Sequence, residues 1–370
     1  MKLKKTGVSA RVINAMFSQW GIAESAVSNM GWNISGELCS GTAVDTTTDF
    51  DSQGYNPGIK CDCNIPNSTT CHITRLKVYA MDAVGPIPEG LWTLRYLTNL
   101  NLAQNYLTGP LSPSIGSLTR MQYMSISINA LSGQVPPELG QLTDLISLAF
   151  GTNNFSGSLP SELGNLRRLQ QLYIDSAGVG GDIPPTFANL QNLQTVWASD
   201  NNFTGRIPDF IGNWSQLRSL RFEGNSFEGS IPPSFSNLTL LQDLRISGLS
   251  NGTLDFIQNL KSPEMLRYNR ISGSFPSGIV EFVNLTQLDF SFNNLRGEIP
   301  NGLFYMRQIS FLFLGNNSLS GAIPGGLALN SPLRIIDLSY NKLSGTLPFW
   351  ATDPTLQVYT LVSLNIEFKF

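Results

Sequence analysis

The chain reads Leu-Thr-Asn-Leu-Asn-Leu-Ala-Gln-Asn-Tyr-Leu-Thr-Gly-Pro-Leu-Ser over residues 97–112. The same spacing of apolar residues, asparagine and glycine returns with a period of 24 residues along most of the sequence. Copies open at Ile73, Leu97, Met121, Leu145, Leu169, Leu193, Leu217 and Leu241, and again at Leu285, Ile309 and Leu333. A period of this length predicts a repeat protein, in which each unit buries its apolar side chains against its neighbours.

Each repeat begins with an alternation that is typical of a short strand. In Leu100-Asn101-Leu102 the leucines point to one face and the asparagine to the other, so stacked copies form a parallel sheet with one buried face. Asparagine at the ninth position both donates and accepts hydrogen bonds, so we expect it to satisfy backbone groups where the chain leaves the strand. These residues are Asn105, Asn129, Asn153, Asn201, Asn225, Asn293, Asn317 and Asn341. The glycine and Ile-Pro that follow, as at Gly205 and Ile207-Pro208, predict a turn and a second extended stretch on the flank.

The spacing fails in one interval. Leu241 and Leu285 lie 44 residues apart, where two repeats need 48. Aligning Asn269 with the consensus asparagine puts Lys261 and Glu264 where other repeats bury leucine, and an unpaired buried charge is costly. We therefore expect the segment 250–284 to lack a regular strand or to shift its register. A splicing or annotation error is the alternative explanation.

Residues 1–72 are predicted to cap the first repeat, residues 73–348 to form the array, and residues 349–370 to form a tail. Ser9 suits the N-cap of a helix and Gly21 its end. One helical face between them is apolar, with Val12, Ile13, Met16, Phe17 and Trp20. In the tail, apolar and polar residues alternate from Val358 to Phe368, which predicts a terminal strand unless the tail is read-through sequence.

Four cysteines fall within 33 residues of the cap: Cys39, Cys61, Cys63 and Cys71. Cysteines clustered beside the exposed end of a core are typical of disulfide bonds formed in an oxidising compartment. Three pairings are possible, and we favour Cys39–Cys61 with Cys63–Cys71 because it makes two short loops. A zinc site is the alternative, but the spacing lacks the paired C-x2-4-C of such sites, so no metal is predicted.

Composition limits the partners and the compartment. Charged residues make up 13% of the chain and its net charge is −3, so a basic surface for nucleic acid is excluded. No run approaches the roughly 20 apolar residues of a membrane span. The start, Met-Lys-Leu-Lys-Lys, resembles the basic part of a signal peptide without the apolar part. We expect the true start to be missing, and the alternative is a protein that stays inside the cell.

Sequons agree with an extracellular glycoprotein. They begin at Asn33, Asn67, Asn154, Asn202, Asn213, Asn237, Asn251, Asn284 and Asn316.

The sequence contains no complete catalytic motif, so we predict neither an enzyme nor a cofactor. His72 directly follows Cys71, where a structural role in the cap is the simpler explanation. The G-x-S-x-G match around Ser250 lies seven repeats from His72, about 30 Å at roughly 4.7 Å per strand, so the two cannot form a catalytic pair. Kinase signatures and phosphate-binding loops are absent from the sequence.

The open face of the predicted sheet carries the candidate binding residues. Its central column runs Lys77, Asn101, Ser125, Ala149, Tyr173, Trp197, Arg221, Arg245, Asp289, Phe313 and Asp337. From this column and the next one we select Tyr173, Asp175, Trp197, Arg221, Glu223 and Arg245 as the candidate ligand site, because aromatic and arginine side chains dominate interface energetics. Pairing of Arg221 with Glu223 or Asp175 is the purely structural alternative.

The repeat L-x-G-x-I-P-x-x-L-G-x-L resembles that of plant leucine-rich-repeat proteins. Four segments are also similar to the N-terminal ectodomain of plant leucine-rich-repeat receptor-like serine/threonine kinases that carry a malectin-like domain. They are Phe-Ser-Gln-Trp-Gly-Ile from Phe17, Gly-Trp-Asn-Ile-Ser-Gly-Glu from Gly31, Lys-Cys-Asp-Cys from Lys60 and Thr-Cys-His-Ile-Thr-Arg-Leu-Lys-Val-Tyr-Ala from Thr70. The resemblance covers roughly residues 10–358. It implies an α/β-type repeat solenoid, a superhelix of about 11–12 repeats with a parallel sheet on the concave face and a disulfide-bonded cap.

The same resemblance implies an ectodomain on the outer face of the plasma membrane that recognises a peptide, a cell-wall glycan or a co-receptor ectodomain. The family's malectin-like domain, membrane helix and kinase do not appear in the sequence, so the chain itself is predicted not to be an enzyme. The alternative is a secreted inhibitor or defence protein similar to polygalacturonase-inhibiting proteins, which use the same repeat class to block a microbial enzyme.

Overall fold

The computed structural model describes residues 7–22, 38–66, 68, 70–247, 249, 254, 257, 260, 263, 265–268, 271–328, 331–352, 358–360 and 365–367. Two compact units divide the chain, Met1–Leu190 and Gln191–Phe370. Leucine-rich repeats build both units, and the predicted parallel sheet is confirmed in each.

The first unit opens with helix α1 (Gly7–Gln19) and continues as short strands joined by 3-10 turns. The strands are β1 (Gly58–Asp62), β2 (His72–Lys77), β3 (Val84–Pro86), β4 (Asn99–Asn101), β5 (Tyr106–Pro110), β6 (Tyr123–Ser125), β7 (Ala130–Gln134), β8 (Ser147–Ala149), β9 (Asn154–Ser156), β10 (Gln171–Tyr173) and β11 (Gly180–Gly181). Strands β2, β4, β6, β8 and β10 pair in parallel in that order, and β1 pairs antiparallel with β2. Strands β3, β5, β7 and β9 form a second parallel sheet on the flank.

The second unit repeats this plan. Its strands are β12 (Thr195–Trp197), β13 (Asn202–Phe203), β14 (Ser219–Phe222), β15 (Asp243–Ile246), β16 (Met265–Tyr268), β17 (Ser272–Gly273), β18 (Gln287–Asp289), β19 (Asn294–Gly297), β20 (Phe311–Phe313), β21 (Ser318–Ala322), β22 (Ile335–Asp337), β23 (Lys342–Thr346), β24 (Val358–Thr360) and β25 (Asn365–Glu367). Strands β12, β14, β15, β16, β18, β20, β22 and β24 pair in parallel, and β17, β19, β21, β23 and β25 form the flanking sheet. Both tail strands thus extend sheets of the array, which fits the terminal strand expected from the alternation.

Register explains why the core is continuous within each unit. Leu100 lies beside Leu76 and Met124, and Leu220 lies beside Val196 and Leu244, so each inward side chain meets its equivalent in the next repeat. All of these side chains are at most 3% exposed. Most described repeats close with a 3-10 turn, and a proline begins several of these turns, because its fixed φ suits the first helical residue.

The predicted role of the ninth-position asparagine is confirmed. Asn129 Oδ1 accepts a hydrogen bond of 3.0 Å from the Leu107 amide of the preceding repeat. Its Nδ2 donates to the carbonyl of Leu102 in that repeat and to the carbonyls of Ile126 and Ser127 in its own. Asn105, Asn153, Asn225, Asn317 and Asn341 make equivalent bonds.

One repeat of the first unit replaces the asparagine with Ala177. The Phe155 amide there donates to the Ala177 carbonyl at 2.9 Å instead of to a side chain. The next residue, Gly178, has φ +87°, and a Cβ at this position would collide with the Phe155 carbonyl oxygen. Glycine is therefore required where the asparagine is missing, because the backbone itself comes close enough to supply the acceptor.

The irregular interval contains a strand with a shifted register. In β16, Leu266 pairs with Leu244 on one side and with Leu288 on the other. Leu266 therefore takes the register position that alignment on Asn269 assigns to Glu264. Two 22-residue spacings replace two of 24, so the sheet continues and the connections become shorter. Lys261, Glu264 and Asn269 lie outside the described residues.

The cap covers the first repeat as predicted, and its disulfides are Cys39–Cys61 and Cys63–Cys71, which confirms the favoured pairing. Ile13, Met16, Phe17 and Trp20 of α1 and its C-terminal turn are at most 2% exposed, and Trp20 Nε1 donates to the Pro86 carbonyl. The helix ends before Gly21, which has φ +69°. The predicted start of the helix was wrong, because α1 begins at Gly7 and Ser9 lies inside it.

Within the described residues, no helix combines the length and the apolar character needed to cross a bilayer.

Candidate functional site

Trp197, Arg221 and Arg245 occupy the same register position on β12, β14 and β15 of the second unit. The Arg221 guanidinium carbon lies 3.8 Å from the centroid of the Trp197 ring, which is the geometry of a cation–π contact. Trp197 Nε1 donates to Ser219 Oγ at 2.8 Å. The tryptophan is thus held by contacts at its ring face and its ring nitrogen, so its orientation on the open face is fixed.

Asp243 connects these side chains. Its Oδ2 accepts from Arg221 Nε at 2.8 Å and from Ser219 Oγ at 3.1 Å, while Oδ1 accepts from Arg245 Nε at 2.9 Å. Arg245 Nη1 also lies 3.9 Å from Glu223 Oε1. Asp243 is therefore a close acidic partner of Arg221 in the second unit, a role that the sequence analysis gave to Glu223 or Asp175. Both arginines bind Asp243 through Nε, and Nη1 of Arg245 also faces the carboxylate of Glu223.

The first unit contains a groove on the open face of its sheet, the face that carries the predicted column of binding residues. Its volume is about 670 Å³, and its lining includes Phe50, Asp51, Asn101, Tyr123, Ser147 and Tyr173. The floor includes pairs of side chains two residues apart on β4, β6 and β8, which alternation places on one face, and Tyr173 of β10. Tyr173 is half-buried there, and so is Asp175 beyond the end of β10.

A loop of the cap forms the end wall of this groove. Phe50 is 5% exposed, and the guanidinium carbon of Arg75 lies 5.7 Å from the centroid of its ring. Asp51 stands exposed beside it. Sequence reasoning missed Phe50 and Asp51 because no periodic signal relates the cap loop to the strands. It also missed Tyr123 and Asp243, although alternation by two places them on the same face as Ser125 and Arg245.

Lys77 corrects the predicted solvent-facing column. Its side chain is 5% exposed, and Nζ donates to the carbonyls of Phe50 and Ser52 in the cap loop. Burial lowers the pKa of Lys77, and Asp51 and Asp49 oppose that effect. Asp289, from the same column, is 8% exposed and accepts from Ser291 Oγ. These two positions therefore contribute to packing and turn formation.

His72 is part of the cap structure. Its ring stacks on Tyr96 with centroids 3.9 Å apart, and Nε2 lies 2.8 Å from Ser68 Oγ. Burial and the positive charge of Arg120 lower the pKa of His72. These contacts fit the structural role expected from the sequence. Ser250, the other half of the excluded catalytic pair, lies outside the described residues.

The described sequon asparagines are all exposed: Asn154, Asn202, Asn213, Asn237, Asn284 and Asn316. Asn33, Asn67 and Asn251 lie outside the described residues. In the described part of the chain, no cluster of three His, Cys, Asp or Glu side chains has the geometry of a metal site, and all four cysteines are in disulfides.

Comparison with known proteins agrees with this architecture. The family described as Leucine Rich Repeat matches residues 96–118, 192–214, 216–238, 284–306 and 332–352. Two probable LRR receptor-like serine/threonine-protein kinases of Arabidopsis thaliana are 55% and 53% identical to the chain over 89 residues. Each match covers 24% of this chain and only 8% of the relative.

Solved structures extend the similarity over most of the chain. The plant peptide hormone receptor RGFR1 in complex with RGF2 is 29% identical, with a TM-score of 0.73, covering 80% of this chain and 50% of that one. The ectodomain of GASSHO1/SCHENGEN3 from Arabidopsis thaliana, in complex with Casparian strip integrity factor 2, is 30% identical, with a TM-score of 0.67, covering 80% and 38%. The chain is therefore similar to the extracellular repeats of plant receptor kinases.

Proposed function

We propose that this chain is a ligand- or co-receptor-binding ectodomain module of a plant receptor-like kinase. The groove on the strand face of the first unit carries the proposal, because a concave site with aromatic side chains and a few polar groups is what ligand recognition requires. The similarity to two plant receptors solved with bound partners supports it. The chain would act by binding, on the outer face of the plasma membrane, and would itself perform no catalysis.

The groove suits an extended ligand of mixed polarity. Asn101 and Ser147 offer donors and acceptors along the floor, while Tyr123 and Tyr173 offer ring faces and hydroxyl groups. Strands in a sheet are about 4.7 Å apart, so equivalent side chains on consecutive strands form a ladder along which an extended peptide or a glycan chain would lie. We therefore propose a peptide, a cell-wall fragment or a partner ectodomain as the ligand.

Trp197, Arg221, Glu223 and Arg245 are proposed as a contact area of the second unit, and Tyr173 and Asp175 as ligand contacts of the first unit. The Nη groups of Arg221 and Nη2 of Arg245 would bind a carboxylate, and the half-buried Trp197 would supply an apolar contact. Asp243 restricts this area, because it already neutralises part of the arginine charge.

Substitutions on the two sheets of the first unit test the groove. Tyr173→Ala and Tyr123→Ala remove ring contacts in the groove, whereas Tyr106→Ala removes a 60% exposed ring from the flanking strand β5. Peptides, cell-wall oligosaccharides and co-receptor ectodomains would be screened against the secreted protein by calorimetry. We expect a loss of affinity of about thirtyfold for Tyr173→Ala, roughly 2 kcal/mol, and little change for Tyr106→Ala.

Trp197→Ala and Arg245→Glu test the second area with the same ligand. Affinity that is unchanged in all four open-face variants would place the binding surface elsewhere, on the flanks or the cap. Circular dichroism of each variant provides the control for folding.

The family resemblance supports a finer proposal, in which the chain is the N-terminal part of a receptor that also carries a malectin-like domain. The alternative function is a secreted inhibitor similar to polygalacturonase-inhibiting proteins. A transcript that continues into a membrane span and kinase supports the first function. A stop codon after Phe370 together with inhibition of a microbial polygalacturonase supports the second.

A further inference from the structure

An exposed apolar groove lies beside two successive 3-10 turns of the second unit, Ser277–Glu281 and Asn301–Tyr305. Its volume is about 600 Å³, and its lining includes Val280, Val283, Asn284, Tyr305 and Arg307. Val283 is 73% exposed and Tyr305 is 56% exposed. A cluster of exposed apolar side chains beside polar ones is the kind of surface that marks an interaction site.

The backbone of the following repeats supports the groove. A Cβ built on Gly302 would lie 2.6 Å from Val280, so the valine packs directly on that glycine. A Cβ built on Gly326 would overlap the Tyr305 hydroxyl, so the tyrosine lies over the second glycine in the same way. Both side chains are therefore supported from below, and their other faces form a surface for an occupant.

The sequence supplies an occupant at the rim. Asn284 lines the groove, is exposed, and begins the sequon Asn284-Leu285-Thr286. Leu285 is fully buried, and the Thr286 carbonyl accepts from the Ser310 amide at 2.8 Å, so the backbone beside the asparagine is fixed. A sugar on the Asn284 amide would consequently begin next to Val283 and Tyr305.

We infer that an N-linked glycan on Asn284 covers this groove. The first N-acetylglucosamine has C–H groups on its ring faces and an acetyl methyl, which pack on an aromatic ring and on valine. Arg307 and Gln308 on the rim offer donors to its hydroxyl and carbonyl oxygens. The glycan is thus an element of the folded surface, in addition to the solubility that any glycan provides.

This inference rests on passage through the secretory pathway, which the proposed function also requires. Asn213 offers a matched sequon, exposed at the end of the 3-10 turn Asp209–Asn213 and outside the groove. Protein from a plant or insect secretory host would be treated with peptide-N-glycosidase without denaturation, and release at each site followed by peptide mass spectrometry. Packing of the glycan predicts that Asn284 is released at least about fivefold more slowly than Asn213, equal to about 1 kcal/mol of protection.

Tyr305→Ser should raise the release rate at Asn284 toward the rate at Asn213. Tyr340→Ser, which removes another exposed tyrosine (58%) away from the groove, should leave the rate unchanged. Equal release rates at the two sites, no effect of Tyr305→Ser, or a glycan on Asn213 with none on Asn284 would each overturn the inference alone. Absence of glycan from both sites would overturn it together with the extracellular function.

Discussion

Asp243→Ala is the substitution that most directly tests the account of the open face. It removes three accepted hydrogen bonds, from Arg221 Nε, Arg245 Nε and Ser219 Oγ, and leaves two guanidinium groups without their shared acceptor. Asp243 and the two arginines have side-chain exposures of 17%, 24% and 20%, so water reaches the site only in part. The contribution of the cluster to stability should therefore lie between that of a surface ion pair and that of a buried one.

The expected magnitude follows from that position. A hydrogen bond to a charged group contributes about 1.5–3 kcal/mol when buried, whereas an exposed ion pair contributes about 0–1 kcal/mol. Three bonds at partial exposure, less the hydration that the freed arginines regain, give a loss of about 2–4 kcal/mol for Asp243→Ala. Asp243→Asn keeps one acceptor oxygen and loses the charge, so its effect should be smaller.

Equilibrium urea unfolding followed by tryptophan fluorescence measures this loss, since Trp197 is in the cluster. Asp144→Ala is the control, because Asp144 pairs with Arg168 at 2.7 Å with exposures of 43% and 56%. A double-mutant cycle between Asp243 and Arg221 should give a coupling of about 1 kcal/mol or more. If Asp243→Ala costs no more than Asp144→Ala, the cluster is an ordinary surface pair and the argument for a fixed Trp197 fails.

Reduction and alkylation should raise the intact mass of the secreted protein by four alkyl groups, and four free thiols before reduction would contradict this prediction. Loss of the two disulfides should destabilise the cap by about 2–5 kcal/mol, with less effect on the C-terminal repeats. Leu220→Ala should lower the free energy of unfolding by about 2–5 kcal/mol in urea titrations, because its side chain is fully buried, and a smaller loss than Trp197→Ala would contradict it. Burial and Arg120 lower the pKa of His72, so the unfolded chain binds the proton more tightly and cap stability should rise from pH 5 to 7; His72→Gln should remove that part of the slope, and identical slopes would refute the assignment.

The strands and their register were predictable because the signal is local and repeated. Leu100 and Leu102 show their inward face by alternation alone, and each further copy strengthens the inference. Lys77 was not predictable in this way. Its strand position is regular, but the residues that cover it, Phe50 and Ser52, come from an aperiodic loop. Contacts between a cap and an array depend on tertiary packing, on which the repeat pattern gives no information.

The candidate site shows the same limit at finer scale. Trp197, Arg221 and Arg245 were predictable as neighbours, because register sets which side chains share a column. The choice of Asp243 by both arginines depends on rotamers and distances, so the sequence left Asp175 and Glu223 as equal alternatives. The repeat pattern located the irregular interval, but the register of β16 depends on pairing with the strands on both sides, where Leu266 lies beside Leu244 and Leu288.

The asparagine bonds described above also give the array a direction. The Asn129 side chain hydrogen-bonds to backbone groups of Leu102 and Leu107 in the repeat before it. The Asn105 side chain bonds to Val78 and Ala83 in the same manner. The first repeat has Met81 at this position, with no earlier repeat to serve. During synthesis from the N-terminus, a turn that depends on such an asparagine therefore stays incomplete until the next repeat has left the ribosome. Folding of the nascent chain should lag one repeat behind translation, and a pause within a repeat would leave the preceding turn open to proteases and chaperones.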